Sequence, residues 1–460
     1  MRGTTAFPPD VLRDLVWLAA DDERRRRLEV AARACRYCAE PIRLKGYSIT
    51  TDAASGEILE SVTSMDAPQG QVLKACGTRR ATRCPSCARV YQGDARHLVA
   101  AGIRGGKGVA ESVSSHPFVF ATITAPSFGR VHRRAKGGGP CQARRPDRCV
   151  HGRTVACFER HAADDSRLGS PLCSACYDAE GAVLFNAHLS ELWRRTTIYA
   201  KRHLARLVGL TVKTCDAQVR LSYVKVAEFQ HRGLVHVHAV VRLDGHDGGA
   251  PPATFTAELL ALAVRIAAAQ VRAPYPEGRG EARWGEQVEC TPVDTSSPSQ
   301  MRKVANYLAK YSTKGSDEAG ALDRRISSPD ELAQRRLPRH LRTMAMVAWD
   351  LDDAWPGLRL RQWAHTLGLR SHFLTKSRWY STTFRALREA RRIHLRTERL
   401  MRSGALREGA EPVVTGTWAY SGQGWRSRGE RTYVILAGRR AEEARRLSYD
   451  MALARTGGSP

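Results

Sequence analysis

Two histidines separated by one residue, His236 and His238, stand in a β-rich stretch at residues 234–243. Residues two apart on a strand point to the same face, so both imidazoles project from one face while the other is wholly apolar. A tight turn at residues 231–233 would bring Glu228 opposite the pair. Two imidazoles and one carboxylate suit a divalent ion such as Mg²⁺ or Mn²⁺ with positions left open for substrate oxygens. The alternative interpretation is two ordinary half-buried histidines.

Tyrosines and lysines share one face of a predicted helix at residues 300–314. The face consists of residues at helical spacing: Tyr307, Lys310, Tyr311 and Lys314. A tyrosine hydroxyl can attack a phosphodiester and hold the cleaved strand as a phosphotyrosine, and a lysine can supply a cation for the phosphate. Because a free tyrosine has a pKa of about 10, such an attack needs a base, a cation or a polarised phosphorus. The alternative is a solvated basic face with two amphipathic tyrosines.

Cysteine pairs of the C-x2-C type indicate structural zinc near the start of the chain. One pair is Cys35 with Cys38 and another is Cys84 with Cys87, while Cys76 lies near the second pair. Each pair can hold one edge of a tetrahedral zinc site, and two pairs complete it. The alternative is a few unlinked thiols that behave as small apolar residues. We predict a zinc site formed by the two pairs.

A second cysteine cluster lies between the first predicted strand and the following long helix. Cys173 and Cys176 form another C-x2-C pair, which Cys149 and His151 could complete. Cys141 and Cys157 belong to the same cluster, and the spacing leaves open which of these residues participate. We predict a zinc site on the Cys149, His151, Cys173 and Cys176 set, for a total of one or two structural zinc ions.

The elements that must position these residues alternate between strands and helices. Strands are predicted at residues 117–124, 218–229, 234–243 and 284–290, and helices at residues 181–210, 253–271 and 300–314. The order β-α-β-β-α-β followed by a helix is that of a ferredoxin-like, split βαβ antiparallel sheet. We therefore predict an α+β fold that combines this sheet with zinc-binding Cys-rich modules and a basic, partly helical C-terminal region.

Charge indicates the kind of partner. The 460 residues include 73 Lys and Arg against 46 Asp and Glu, which leaves a net charge of +27. Such an excess favours a polyanion, and nucleic acid is the commonest one. No apolar run approaches the ~18 residues of a membrane span, so no membrane partner is expected. The first thirty residues do not resemble a secretory signal, so we expect a cytoplasmic protein whose cysteines are thiols or metal ligands.

Arginines dominate the last part of the chain. Residues 376–408 contain ten Lys or Arg against three Glu, an imbalance too large for self-neutralising pairs on a helix. We expect contacts to DNA phosphates, which give affinity without sequence specificity. The residues assigned to this role are Arg385, Arg388, Arg391 and Arg392.

Three stretches in the middle of the chain resemble the ordered motifs of HUH endonucleases. They are residues 118–124 (FVFATIT), the His236-Val237-His238 triplet and residues 304–310 (VANYLAK). With the histidines before the tyrosine, the order is similar to that of rolling-circle replication initiators. Residues 75–91 and 368–384 extend the resemblance to the initiators of actinomycete plasmids and integrative elements.

The resemblance implies roles for individual residues. His236 and His238 would be metal ligands with Glu228 as a possible third, Tyr307 the nucleophile and Lys310 its helper. Tyr311 is placed like the second tyrosine of two-tyrosine initiators. Two first-motif residues would be mostly structural and DNA-facing, namely Thr122 and Thr124.

The expected function is a site-specific nick that starts rolling-circle replication of a plasmid, with the 5′ end kept on tyrosine. Partners would be single-stranded and duplex origin DNA and the host helicase and polymerase. The expected regions are a zinc-ribbon-like DNA-binding region at 1–113, a nicking domain at 114–316 with a Cys-rich insertion at about 126–178, and an Arg-rich DNA-binding region at 317–460. The alternatives are an HUH-type transposase and a zinc-containing DNA-binding regulator without nuclease activity.

Overall fold

The chain folds into twelve α-helices and eleven β-strands within the residues that the computed structural model describes, namely 7–67, 70–142, 148–313, 324–335, 337–406 and 411–455. The helices are α1 (Pro9–Ala20), α2 (Asp22–Ala34), α3 (Pro85–Arg104), α4 (Ala179–Leu207), α5 (Val212–Gln218), α6 (Ala257–Gln270), α7 (Pro298–Thr313), α8 (Pro329–Gln334), α9 (Arg339–Asp350), α10 (Leu360–Trp363), α11 (Phe384–Arg402) and α12 (Arg428–Arg455). The strands are β1 (Ile42–Asp52), β2 (Ile58–Thr63), β3 (Val72–Lys74), β4 (Phe118–Ile123), β5 (Val219–Phe229), β6 (Val235–Gly245), β7 (Ala273–Pro274), β8 (Glu281–Ala282), β9 (Val288–Pro292), β10 (Leu374–Lys376) and β11 (Pro412–Gln423).

Two compact units make up this mixed α/β chain. The central unit is Gln92–Phe384, and the end unit combines Met1–Tyr91 with Arg385–Pro460. This division differs from the three consecutive regions expected from the sequence. The first and last parts of the chain belong to one unit because β11, from the last part, pairs with β1, from the first part.

The end unit contains a four-stranded antiparallel sheet in which β2, β3 and β11 all pair with β1. The pairing with β11 runs along all of β1, from Ile42 opposite Gln423 to Asp52 opposite Pro412. Gly46 has a φ of +142°, and a Cβ there would lie 2.0 Å from the Thr417 carbonyl oxygen. The two backbones therefore approach as closely as they do only because this residue is glycine.

The central unit contains a five-stranded antiparallel sheet with the strand order β10-β5-β6-β4-β9. One face of β6 is fully buried in a core shared with α4 and α6, through Val235, Val237, Ala239, Val241 and Leu243. Both covering helices begin at side-chain caps, since Asp178 accepts a hydrogen bond from Gly181 N–H and Thr256 accepts one from Leu259 N–H. The other face of β6 carries the two histidines.

Most elements predicted for the central unit lie within a few residues of their expected bounds. The turn between β5 and β6 includes Gly233, whose φ of +76° is a conformation that glycine adopts without strain. The last predicted strand begins at Val288, four residues later than expected. The sequence does not predict the three-residue β10, because so short a strand shows no periodicity. None of the described helices combines the length and the apolar character needed to cross a membrane.

Candidate active site

The two histidines lie side by side on the uncovered face of the central sheet. His236 and His238 have ring centroids 4.5 Å apart. Thr122 lies directly opposite His238 in the β4–β6 register, and its hydroxyl is 3.1 Å from His238 Nδ1. On the other side of β6, Glu228 Oε2 is 3.1 Å from His238 Nε2. His238 thus has a hydrogen-bond partner on each neighbouring strand, which fixes the orientation of the imidazole.

His236 is positioned by the turn between β5 and β6. Its Nδ1 makes a 3.0 Å hydrogen bond with the side-chain amide of Gln230, whose Oε1 accepts a 2.8 Å bond from Arg232 Nε. His236 Nε2 is buried and has no hydrogen-bond partner in the described part of the chain. Burial, aided by the neighbouring His238 imidazole, lowers the pKa of His236 to about 4. The ring is therefore neutral at physiological pH, which is the state that binds metal ions.

The three residues predicted to hold a catalytic ion come together on this face. Glu228 is directly opposite His236 in the β5–β6 register and is hydrogen-bonded to His238. The possible ligand atoms of Glu228, His236 and His238 are not all within 4.8 Å of one another in the described structure. The arrangement nevertheless fits a divalent cation for two reasons. The buried His236 Nε2 has no hydrogen-bond partner among the described residues. The adjacent Glu228–His238 pair shares a proton that a cation could replace.

Two tyrosines of α7 lie over the histidine pair. The Tyr307 hydroxyl is 3.4 Å from His238 Nε2, and the Tyr307 ring meets Phe120 edge-on at 5.6 Å between centroids. The Tyr311 ring lies beside Tyr307 and His238, with its centroid 4.6 Å from that of Tyr307 and 5.3 Å from that of His238. Buried residues on the opposite side of the helix hold it in place, namely Ala305, Leu308, Ala309 and Ser312.

Tyr307 is 37% exposed, so its hydroxyl is reachable from solvent despite these contacts. Partial burial raises the pKa of Tyr307 well above its usual value, and the hydrogen bond with Tyr311 and the nearby carboxylates of Glu228 and Glu289 add to the effect. The phenol therefore keeps its proton in the DNA-free protein. Lys310 is exposed on the same helix with its Nζ 5.6 Å from the centre of the Tyr311 ring, and Lys314 lies outside the described residues.

Thr124 makes a structural contact within the protein, while a contact between it and DNA stays a prediction. Its side chain is buried, and its hydroxyl donates a 3.0 Å hydrogen bond to the carbonyl oxygen of Gln287. The residue follows the last one of β4, where it ties the end of that strand to the segment before β9. Of the two first-motif threonines, Thr122 is the one that contacts a histidine of the pair in the described structure.

The four arginines assigned to DNA binding lie on α11. Arg385, Arg388 and Arg392 are exposed and Arg391 is half-buried. Arg392 is ion-paired with Glu389 one turn earlier, so part of its charge is already compensated. Of these four positions only Arg385 directly follows the boundary between the two units, and all four belong to the end unit.

The first cysteine group differs from the predicted one by a single residue. Cys76 joins Cys38, Cys84 and Cys87, and the four Sγ atoms lie within 4.8 Å of one another. The Sγ atoms of Cys84 and Cys87 are 3.9 and 3.7 Å from that of Cys38. Cys35 is buried nearby, but its thiol donates to the Ala32 carbonyl oxygen within the end of α2. The correction arises because β3, paired with β1, delivers Cys76 to the group.

The second cysteine group consists of the residues that the sequence suggested. Cys149, His151, Cys173 and Cys176 have their ligand atoms within 4.8 Å of one another. His151 Nδ1 is 3.2 Å from Cys176 Sγ and 4.0 Å from Cys173 Sγ. Both cysteine groups are compatible with structural zinc.

A third group was not predicted. His132, Cys141, Cys157 and His161 also bring their ligand atoms within 4.8 Å of one another. From the sequence, the roles of Cys141 and Cys157 stay open, and neither His132 nor His161 is among the predicted ligands. The Cys157–His161 spacing does not identify them by itself, because the common Cys2His2 pattern pairs cysteine with cysteine and histidine with histidine.

Comparison with known proteins identifies the family. The family described as "Replication initiator protein, pSAM2" matches residues 24–438 of the chain. A replication initiator protein of Streptomyces ambofaciens is 42% identical over 435 residues, which cover 91% of each of the two chains. No solved structure matches. The chain therefore belongs to this family of replication initiator proteins.

Proposed function

We propose that this chain initiates rolling-circle DNA replication of a plasmid or integrative element by nicking one strand of the origin, with Tyr307 as the nucleophile. The observation that carries the proposal is the placement of the Tyr307 hydroxyl 3.4 Å from His238 Nε2, beside a pair of imidazoles whose centroids are 4.5 Å apart. Membership in a replication initiator family is the reason for preferring replication over transposition as the purpose of the nick.

The topology of the central sheet supports an HUH-type domain of ferredoxin-like fold. Four of its strands, with α4 and α6 between them, follow the order β4-α4-β5-β6-α6-β9 along the chain. In space they are arranged β9-β4-β6-β5, with every neighbouring pair antiparallel. This arrangement supports the split βαβ fold expected from the sequence, with the histidines on a central strand and the tyrosines on the helix that follows the last strand.

The proposed chemistry is a transesterification in which the protein becomes joined to DNA. As the Tyr307 oxygen bonds to phosphorus, the bond from phosphorus to the 3′ oxygen breaks, leaving a 5′-phosphotyrosine and a free 3′-hydroxyl. The phenol loses one proton and the departing oxygen gains one, so the step is balanced. A divalent cation bound by His236, His238 and Glu228 would supply Lewis-acid polarisation of the scissile phosphate.

Other residues of the chain prepare this step. Thr122 and Glu228 fix the His238 ring from both sides, and the contact with Phe120 limits the positions of the Tyr307 ring. A phosphate between Tyr307 and the exposed Lys310 would be neutralised by the ammonium group as charge builds up. Tyr311 lies close enough to Tyr307 to accept a second strand in the joining reaction that closes the circle.

The charge of the chain fits the partners of such an initiator. A net charge of +27 favours duplex and single-stranded origin DNA, since cations that neutralise phosphates provide sequence-independent affinity. The free 3′-hydroxyl left by the nick is the group that a host polymerase extends, and continued synthesis requires a helicase to separate the strands. The zinc-compatible Cys38 group and α11 of the end unit supply candidate surfaces for duplex binding.

The decisive experiment is to trap the covalent complex. Full-length protein is incubated with Mn²⁺ and labelled single-stranded oligonucleotides that tile the origin region of its own replicon, and the adduct peptide is identified by mass spectrometry. We expect one oligonucleotide to yield a DNA adduct on Tyr307. An adduct on a residue outside α7 would overturn the proposal. Cleavage by the unmodified protein that leaves no DNA attached to Tyr307 or Tyr311 would overturn it as well.

Phenylalanine variants separate the two tyrosines. Tyr307→Phe should abolish both nick and adduct, whereas Tyr311→Phe should retain the first cleavage and affect only strand joining. The half-buried Tyr199 of α4 provides a matched control, because Tyr199→Phe removes a hydroxyl of the same unit away from the histidines. If Tyr311→Phe alone eliminated the adduct, the nucleophile would be one helical turn further along α7.

Alanine variants test the histidines in the same assay. His236→Ala and His238→Ala should abolish nicking and leave duplex binding nearly unchanged, because neither ring supports the core side of the sheet. His246, exposed just beyond β6, is the matched control. Equal loss of nicking and of duplex binding in the His236 and His238 variants would mean that these residues are structural.

A further inference from the structure

The third Cys/His group has the geometry of a built metal site. His132 Nδ1 is 3.1 Å from His161 Nε2, Cys141 Sγ is 4.0 Å from His132 Nδ1, and Cys157 Sγ is 3.6 Å from His161 Nε2. Four ligands around a tetrahedral zinc ion lie about 3.3 to 3.8 Å apart at ordinary Zn–N and Zn–S bond lengths. Cys141, Cys157 and His161 are buried and His132 is half-buried, so the ligands are shielded from competing water.

The surroundings of this group are those of zinc ligands. His161 Nδ1 makes a 2.8 Å hydrogen bond with Asp165 Oδ2, so the nitrogen that faces the group is Nε2. Arg167 in turn holds Asp165 and Glu159 in place through ion pairs. The backbone N–H of Arg133 donates a 3.1 Å bond to Cys141 Sγ, a contact that stabilises a thiolate. A carboxylate behind a metal-binding histidine fixes the ring and raises its basicity.

The ligands of this group alternate along the chain with those of the Cys149 group. His132 and Cys141 come first, followed by Cys149 and His151, then Cys157 and His161, and finally Cys173 with Cys176. The first and third pairs belong to one group and the second and fourth to the other. We propose that the described residues 132–142 and 148–176 form a two-zinc module with interleaved ligand pairs, in which His132, Cys141, Cys157 and His161 hold a zinc ion of their own.

Interleaving makes the two ions depend on each other. The segment between Cys141 and Cys157 carries two ligands of the other site, and the segment between His151 and Cys173 carries two ligands of this one. These segments contain few regular elements and only isolated β-bridges in their described parts, so metal coordination supplies the cross-links that a hydrophobic core supplies elsewhere. Loss of one ion therefore loosens the loop that presents ligands to the other.

The module borders the turn that precedes His236. Arg232 donates hydrogen bonds of 3.1 and 3.0 Å to the carbonyl oxygens of Ala125 and Pro126, where the chain enters the module. Inside it, Gly169 packs on the turn so closely that a Cβ would lie 2.2 Å from the His231 carbonyl group. Arg232 thus links the segment that leads into the zinc module to Gln230, the hydrogen-bond partner of His236.

Zinc analysis of the unmodified full-length protein tests the proposal first. Protein purified under reducing, metal-replete conditions should hold three zinc ions per chain by elemental analysis, one for each group. X-ray absorption at the zinc edge should show on average three sulfur ligands and one nitrogen ligand per ion, as the nine cysteines and three histidines of the groups require. Two ions per chain with a ratio of seven sulfurs to one nitrogen would overturn the proposal.

A matched pair of aspartate variants then tests the site itself. Asp165→Asn keeps the shape of the side chain but weakens the support of His161, and should lower resistance of one zinc ion to a chelator by about tenfold or more. Asp164→Asn alters an adjacent exposed carboxylate and should leave all three ions as they are. A Cys141→Ser, Cys157→Ser double variant should lose one ion outright and release a second more readily. Wild-type zinc content and chelator resistance in this variant would refute the site.

Discussion

Lys225 offers a test of how the central core is built. The residue lies on β5, opposite Ala239 of β6, and only 3% of it is exposed. Its Nζ has no hydrogen-bond partner in the described part of the chain, and the nearest compensation is the Trp193 ring, 5.9 Å away. Burial lowers the pKa of Lys225 from 10.5 to about 8. An ammonium group is thus buried in the central unit without an ion pair among the described residues.

We expect Lys225→Met to stabilise the central unit at neutral pH. A fall in pKa from 10.5 to about 8 corresponds to about 3 kcal/mol of destabilisation by the charged form. Methionine has nearly the same length and needs no counter-charge, so it should relieve most of this penalty. Urea unfolding of the full chain, followed by tryptophan fluorescence, measures the gain. The exposed Lys213 of α5 is the control, and Lys213→Met should change stability by less than about 0.5 kcal/mol.

The pH dependence provides a sharper check. Between pH 8 and 10.5 the folded protein has released the Lys225 proton while the unfolded chain still binds it, so wild-type stability rises with pH over this window. The Lys225→Met variant lacks this group, and its advantage should shrink from its full value below pH 8 towards zero near pH 10.5. A constant advantage, or a variant less stable than wild type at pH 7, would refute the reasoning.

The remaining predictions concern hydrogen bonds and backbone contacts. Thr122→Val removes the hydrogen bond to His238 Nδ1 and should slow nicking about tenfold in the adduct assay. Thr124→Val should lower the free energy of unfolding in urea by about 1 kcal/mol and leave nicking unchanged. Asp244→Asn leaves the buried Arg242 guanidinium without its counter-charge and should destabilise the central unit by about 3–5 kcal/mol. Unchanged thermal stability of this variant would contradict the buried ion pair. Gly46→Ala should force β1 and β11 apart and cost the end unit about 2 kcal/mol or more, to be measured by limited proteolysis, and unchanged protection would contradict the close approach.

The face that carries the histidines and tyrosines could be predicted from the sequence because its signals are local. The alternation around His236 and His238 assigns faces on one strand, and the spacing of Tyr307 and Tyr311 assigns one face of a helix. The structure brings these residues together, while their roles in catalysis stay predictions. The support behind them was less visible. Gln230 reaches His236 only because of the particular conformation of the turn, which no periodicity reports.

The metal groups and the domain boundaries show where sequence reasoning reaches its limit. Cys76 replaces Cys35 because pairing between β1 and β3 selects the fourth ligand, and that pairing depends on tertiary structure. The histidines of the third group are nine and four residues from their nearest cysteine partners, spacings that single-pair motifs do not capture. The pairing of β1 with β11 involves residues far apart in the chain, so composition along the sequence suggested consecutive regions where the fold joins the two ends.

That pairing also sets an order of events during translation. β1 leaves the ribosome about 370 residues before β11, which corresponds to roughly 20 to 70 seconds at ordinary elongation rates. Throughout this interval the edge of β1 that will receive β11 has no strand to bond, while the whole of the central unit emerges and can fold. Ribosome pausing or a premature stop codon between residues 385 and 411 would therefore yield chains with the histidine face of the central sheet complete and an open, aggregation-prone strand edge at their N-terminal part.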